Sequence, residues 1–298
     1  MKFGACIPHY GVSTSRKAVS EFVELAERLP FDSVWTTDHI AVSDKYLDPY
    51  GTIIESLTTL SFAAAKTERV KLGTSIIVLP MRNPVLFAKQ TASLDFLSEG
   101  RLILGLGAGW MDDEFARLGA DFHNRGEIMN EEIRLMKSLW STDRPRFEGK
   151  FYKVDNAVFM PQPVTKGGPP IWMGGGSSKT ALKRVAELGD GWHPVGFSPS
   201  QIAEGKKTLD SLLRGRRKVT ISVRLPTEVS ATATSTYSLS SGEKAYMLGG
   251  TREAVANEVE KLRDAGVEHI ICYFGNKPYD HVVSQARVFA QEVIPSFQ

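Results

Sequence analysis

Short runs rich in β-branched and apolar residues alternate along this chain with longer stretches whose apolar positions recur every three or four residues. "KFGACIP" is followed by "SRKAVSEFVELAERL", in which Val19, Phe22, Val23 and Ala26 fall on one helical face. "SVWTTD" precedes a loop and then "IIESLTTLSFAAAK". "VKLGTSIIVL" leads into "NPVLFAKQTASLDFLS", and "RLILGLGAG" into "DDEFARLG" and "EIMNEEIRLMKSLW". Residues 141–169, rich in Pro and Gly, interrupt the alternation and suggest a small hairpin at "FEGKFYKV". The pattern resumes with "PIWMGGG" and "SSKTALKRVAEL", then "GWHPVG" and "SPSQIAEGKKTLDSLL". After "VTISVRL" comes a polar insertion, Pro226 to Gly250. "TREAVANEVEKLRDAG", "HIICYFG" and "YDHVVSQARVFAQEVI" close the chain. Eight strand–helix cycles predict an α/β fold with parallel strands. A closed (β/α)8 TIM barrel fits the count and the length better than a doubly wound open sheet. We expect one domain over residues 1–298, with insertions after helix 4 (about 141–169) and strand 7 (about 226–250).

Composition narrows the class. With 42% hydrophobic and 23% charged residues, the 298-residue chain can bury a full core. A net charge of +2 gives no strong pull toward nucleic acid or a membrane surface. No apolar run is long enough for a membrane helix, and the N-terminus lacks a secretory pattern. Cys6 and Cys272 are too few for a disulfide framework, so a cytoplasmic protein with reduced thiols is expected. The basic run "RGRRK" (214–218) falls between helix 6 and strand 7, where a solvated helix end explains it.

In a barrel of this kind the chemistry gathers at the C-terminal ends of the strands. Strand 1 ends near His9, strand 2 at Asp38 and His39, and strand 3 runs through Ser75 and Ile76. Strand 4 ends in "GAGW" (107–110), strand 5 in Gly174, Gly175, Gly176 and Ser177. Strand 6 carries His193 and strand 8 ends in "YFGN" (273–276). Three glycines followed by serines at a helix start let backbone N–H groups approach an anion, which makes a phosphate site. The spacing is not that of a P-loop, and a tight turn with a serine N-cap is the alternative, but the place on a later barrel strand favours the phosphate site. Glycines at 107 and 109 either let a flat ring lie close to strand 4 or relieve crowding with its neighbours. An imidazole at a strand end can move a proton or simply satisfy a backbone carbonyl.

Taken together, "FDSVWTTDHI", "VKLGTSIIVLPMRNPVLFAKQTASLDFLSEGRLILGLGAGW", "PPIWMGGGSSKTALKRVAELGDGWHP" and "GGTREAVANEVEKLRDAG" resemble the luciferase-like monooxygenase superfamily, and more closely its branch using the deazaflavin coenzyme F420. The resemblance implies a deazaflavin-dependent oxidoreductase that transfers hydride between F420 and a small organic substrate. It implies His39 beside the reactive part of the ring, with Asp38 supporting it. It implies a non-proline cis peptide at Ser75–Ile76 backing the ring, with Gly107 and Ala108 along the ring's path. Gly174, Gly175, Gly176 and Ser177 would hold the cofactor phosphate. His193 is placed with these cofactor-binding residues, and Glu114 is a candidate pocket acid, unless it only complements the first turn of its helix. The same resemblance implies a homodimer and a mobile loop over the pocket at 226–250.

Three other readings compete. An FMN-dependent monooxygenase of the same superfamily, using reduced flavin and oxygen, would share the phosphate loop. A zinc-dependent barrel hydrolase could draw on His9, His39 and His193, although no H-x-H pair or bridging acid accompanies them. A cofactor-binding protein without catalysis is the third.

Overall fold

A computed structural model describes residues 1–238 and 244–298. Eight parallel strands form the barrel: β1 (Lys2–Cys6), β2 (Ser33–Thr36), β3 (Lys71–Thr74), β4 (Leu102–Gly107), β5 (Ile171–Gly174), β6 (Gly191–His193), β7 (Thr220–Val229) and β8 (His269–Tyr273). Each pairs with the next, from Gly4 opposite Ser33 to Ser222 opposite His269. Lys2 opposite His269 closes the ring. Helices α1 (Arg16–Arg28), α2 (Ser56–Ala64), α3 (Pro84–Leu97), α4 (Arg125–Leu139), α5 (Lys179–Leu188), α6 (Pro199–Leu213), α7 (Arg252–Asp264) and α8 (Tyr279–Val288) alternate with them. The expected TIM barrel is the observed one.

Local sequence sets most helix starts. Ser15 accepts from the Ala18 N–H, Asn83 from Val85 and Leu86, and Ser198 forms a capping box with Gln201. Pro84 and Pro199 stand in the first turn, where no donor is lost. The apolar faces of these helices meet the outer faces of the strands in one continuous core, from Phe3 and Val23 through Leu104 and Ile133 to Val259 and Phe289. Inside the barrel the filling is more polar. Trp35 stacks on Trp172 and on His193, and its indole N–H donates to Ser33 Oγ at 2.7 Å.

Two details depart from the sequence reading. Strand 3 does not run straight through Ser75 and Ile76. It stops at Thr74, the Ser75–Ile76 bond is cis, and Ile77–Val78 then pairs with the end of β4. Strand 7 is longer than its apolar run, reaching Val229, so the insertion begins later than Pro226. Its return, Leu248–Gly250, pairs alongside β7. Residues 239–243 lie outside the described residues, so the expected covering loop is described only in part. The hairpin expected in the first insertion is present, with Phe147–Glu148 against Lys153–Val154. Glu131 of α4 ties its turn down, accepting from the N–H groups of Lys150, Phe151 and Tyr152. Among the described residues no helix is long and apolar enough to cross a membrane.

Candidate active site

The strand ends open into a cavity of about 480 Å³ walled by Tyr10, Tyr50, Arg224 and Tyr273. His39 flanks it: its ring lies 4.2 Å from that of Tyr50, centroid to centroid. The short helix Asp112–Arg117 follows β4, and its Glu114 is buried. Glu114 Oε2 lies 2.9 Å from His39 Nδ1, and Oε1 accepts from the N–H groups of Ile40 at 2.5 Å and Ala41 at 3.1 Å. Burial pushes the Glu114 carboxyl up, but the His39 ring and the two N–H groups outweigh it and hold its pKa below the ordinary value. The ionised carboxylate therefore takes the Nδ1 proton as its hydrogen-bond donor and leaves Nε2 as the working nitrogen. Trp110, half exposed, presents its ring edge-on to His39 and to Tyr46.

Asp38 does something else. Its two carboxylate oxygens receive Arg82 Nη1 and Nη2 at 2.7 Å each, and the Val78 N–H at 2.9 Å. The support that the sequence reading assigned to Asp38 comes to His39 from Glu114 instead. Asp38 anchors the segment after the cis bond to the end of β2. Arg82 carried no recognisable signal in "PMRNPV", because an arginine is ordinary before a helix.

The Ser75–Ile76 turn is held from several sides. Ser75 Oγ contacts His193 Nε2 at 2.8 Å, and the Ser75 carbonyl accepts from Thr37 Oγ1 at 2.9 Å and Arg224 Nη1 at 3.0 Å. Ile76 occupies space that a side chain at Gly107 or Gly174 would fill. A Cβ on Gly107 would lie 2.5 Å from Ile76 Cδ1, and one on Gly174 only 2.7 Å from its Cγ2. These two glycines admit Ile76, the crowding-relief alternative for "GLGAG". Ala108 sits partly buried beside them.

His193 is fully buried, and both ring nitrogens have protein partners, Ser75 Oγ and Ser222 Oγ, the latter at 2.7 Å. Burial and the nearby Arg224 charge lower it to about 3. It supports the turn from beneath and has no nitrogen left for a ligand. His9 is likewise occupied, between the Ile54 carbonyl at 2.9 Å and the Thr37 N–H at 2.8 Å. The three histidines of the hydrolase reading thus do not converge, and no group of three metal-ligating side chains occurs among the described residues.

At the other side of the barrel mouth, Gly175, Gly176 and Ser177 lead to α5, which Ser178 caps by accepting from Ala181 N–H at 3.3 Å. Gly175 has φ of +141°, a conformation that suits glycine alone, and a Cβ on Gly176 would meet nothing within 4 Å. Packing does not demand a glycine at 176. Space at a helix N-terminus with bare backbone fits an anionic group.

The chain is 25% identical to an F420-dependent glucose-6-phosphate dehydrogenase of Amycolatopsis mediterranei, over 93% of each chain. An enzyme of the same name from Kineococcus radiotolerans is 35% identical over 178 residues, 58% of this chain and 51% of that one, so this match spans about half of that relative. In structure, the chain resembles a monooxygenase from Streptomyces bottropensis, with a TM-score of 0.85 over 100% of both chains at 22% identity, which shows the shared fold. The luciferase-like monooxygenase family model matches residues 1–269. That match takes in the Asp38–His39 corner, the Ser75–Ile76 turn, Glu114 and the glycine run before α5, and the chain belongs to the luciferase-like monooxygenase family.

Proposed function

We propose that the chain is an oxidoreductase that uses the deazaflavin coenzyme F420 to move a hydride to or from a small organic substrate. What carries this reading is the buried His39–Glu114 pair beside the Ser75–Ile76 turn, in a chain similar along nearly its whole length to an F420-dependent dehydrogenase. The residues present fit the cofactor. The turn at Ser75 and Ile76, which Gly107 makes room for, would back the ring, with Gly107 and Ala108 lining its path. Gly174, Gly175, Gly176 and Ser177 would receive the phosphate at the start of α5, where a Cβ on Gly176 would stand in open space. When bound, the deazaflavin supplies a carbon that gives or takes hydride. His39 would give from Nε2, or take onto it, the proton of the substrate atom bonded to the carbon that exchanges the hydride, and Glu114 fixes the imidazole and its tautomer. Asp38 and His193 act indirectly, holding the segments that carry the ring's support.

The test is an anaerobic screen of alcohols and carbonyl compounds that follows F420 absorbance. Sustained reduction or reoxidation with one of them supports the proposal. Oxygen consumption with reduced FMN, and no F420 turnover, contradicts it.

A further inference from the structure

The floor of the cavity carries a charge that the proton and hydride chemistry does not use. Arg224 projects from β7, lines the cavity and is 9% exposed. Its hydrogen-bond partners are neutral: Tyr10 Oη at 2.6 Å, Thr37 Oγ1 at 2.9 Å, the Ser75 carbonyl at 3.0 Å and the buried Cys6 thiol. The guanidinium also lies 4.9 Å from the centroid of the Tyr273 ring. The titratable groups around it are Tyr10, Cys6, Tyr50 and Tyr273, and among the described residues no carboxylate is within ion-pair distance.

Buried Arg101 and the largely covered Arg82 define what is unusual here. Arg82 has Asp38 as a bidentate counter-ion. Arg101 has no acid either, but it makes five hydrogen bonds to carbonyls and to Thr67 Oγ1, which explains it as a structural clamp. Arg224 makes three to oxygen, one of them to a hydroxyl in the cavity wall. A desolvated charge without a counter-ion is costly, and its field reaches further than that of a solvated one. The acids that line the same cavity, Asp48 and Glu228, stand nearer solvent, and Asp48 receives Asn276 Nδ2 at 2.6 Å. Exposed Lys277 shares that rim and offsets one of these two acids, while the floor carries the positive charge of Arg224.

We propose that Arg224, with the Tyr10 hydroxyl it holds, is the specificity site of the cavity and that the non-reacting end of the substrate is an organic carboxylate. The Tyr50 ring, between His39 and Tyr10, separates the two ends. One guanidinium with one hydroxyl suits a singly charged group. A phosphoryl group would call for a second buried cation, and none lines this floor among the described residues. The inference rests on the hydride-transfer reading for the word substrate, but anion binding at Arg224 stands apart from it.

The experiment is calorimetric binding of benzoate, benzamide and inorganic phosphate to the full chain, with and without saturating F420. Benzoate binds at least tenfold more tightly than its neutral isostere. Arg224→Gln weakens benzoate at least tenfold and leaves benzamide unchanged. Tyr10→Phe, which keeps the ring and the arginine, weakens benzoate several-fold, and it decides the matter if Arg224→Gln does not fold by circular dichroism. Equal binding of benzamide and benzoate, no benzoate binding, or indifference to both substitutions overturns the anion site. Tighter binding of phosphate than of benzoate overturns the carboxylate assignment. Benzoate binding without any F420 binding faults the cofactor reading and leaves this one standing.

Discussion

Glu114 grips His39 with one carboxylate oxygen and the backbone of the next two residues, Ile40 and Ala41, with the other. A single side chain from the loop after β4 therefore fixes both the imidazole and the loop that carries it. Glu114→Gln keeps the shape but replaces one acceptor by a donor, so one of the two grips is lost. Loss of a positioned proton carrier costs about 10²–10⁴ in rate. We expect kcat to fall about 100-fold while the Kd for F420 stays within a few-fold, measured by steady-state kinetics and by equilibrium titration.

The fit of Ile76 against Gly174 makes a second prediction. A Cβ at 174 lies 2.7 Å from Ile76 Cγ2, on a β-branched side chain that cannot swing away. Overpacking of this sort costs about 1–3 kcal/mol. Gly174→Ala should lose that much in urea denaturation and bind F420 more weakly. Adding Ile76→Ala should return part of the stability but not the cofactor affinity, because the turn then lacks its apolar cover.

Buried Asp38 and largely covered Arg82 form a bidentate pair. Removing one partner of such a pair leaves an uncompensated charge, at a cost of about 3–5 kcal/mol. Arg82→Met should show that loss in urea denaturation. The Asp38→Asn, Arg82→Met double variant should be less destabilised than the single one. A double variant that loses as much as the Asp38→Asn and Arg82→Met single variants added together would mean that the pair is not coupled.

Buried histidines set the acid limb of stability. Burial, the largest cause in each case, lowers His9 to about 4 and His193 and His269 to about 3. Each folded-state value lies below the unfolded one, so the unfolded chain binds more protons between those pH values. Their contribution is complete above about pH 6.5 and is lost as pH falls toward 3. Thermal melting from pH 8 to 5 should show a falling midpoint, steepest below pH 6.5.

Glu132 works with the opposite sign. Burial raises its carboxyl to about 7, Oε1 accepts the Tyr152 hydroxyl at 2.8 Å, and Oε2 has no partner. The folded chain holds this proton more tightly than the unfolded one, so stability is lost as pH rises from about 4.5 through 7. One proton corresponds to about 1.4 kcal/mol per pH unit. Subtracting the melting profile of Glu132→Gln from that of the wild type should isolate a decline over this window. A flat difference would contradict it.

The sequence made the barrel legible because each strand–helix cycle writes its own period, and the strand ends then named the mouth. His39 and the glycines before α5 were visible as unusual residue types in strand-end positions, whereas the break at Ser75–Ile76 was implied only by the family resemblance. What stayed hidden was partnership. Asp38 and Glu114 are both acids near His39 in the folded chain, and only the path of the β4 loop decides which one reaches it. Arg82 and Arg224 gave no signal, since an arginine in "PMRN" or "SVRL" reads as surface until the fold closes around it. His193 looked like a ligand residue because it ends a strand. The fold turns it inward, where Ser75 and Ser222 take both nitrogens.

The central claim is the cofactor, and its most direct test is equilibrium titration of the purified full chain with F420 and with FMN, followed by intrinsic tryptophan fluorescence. Trp110, edge-on to His39, is the expected reporter. The account predicts saturable quenching by F420 at micromolar concentration, with FMN binding at least tenfold weaker. Tight FMN binding with no response to F420 would contradict it.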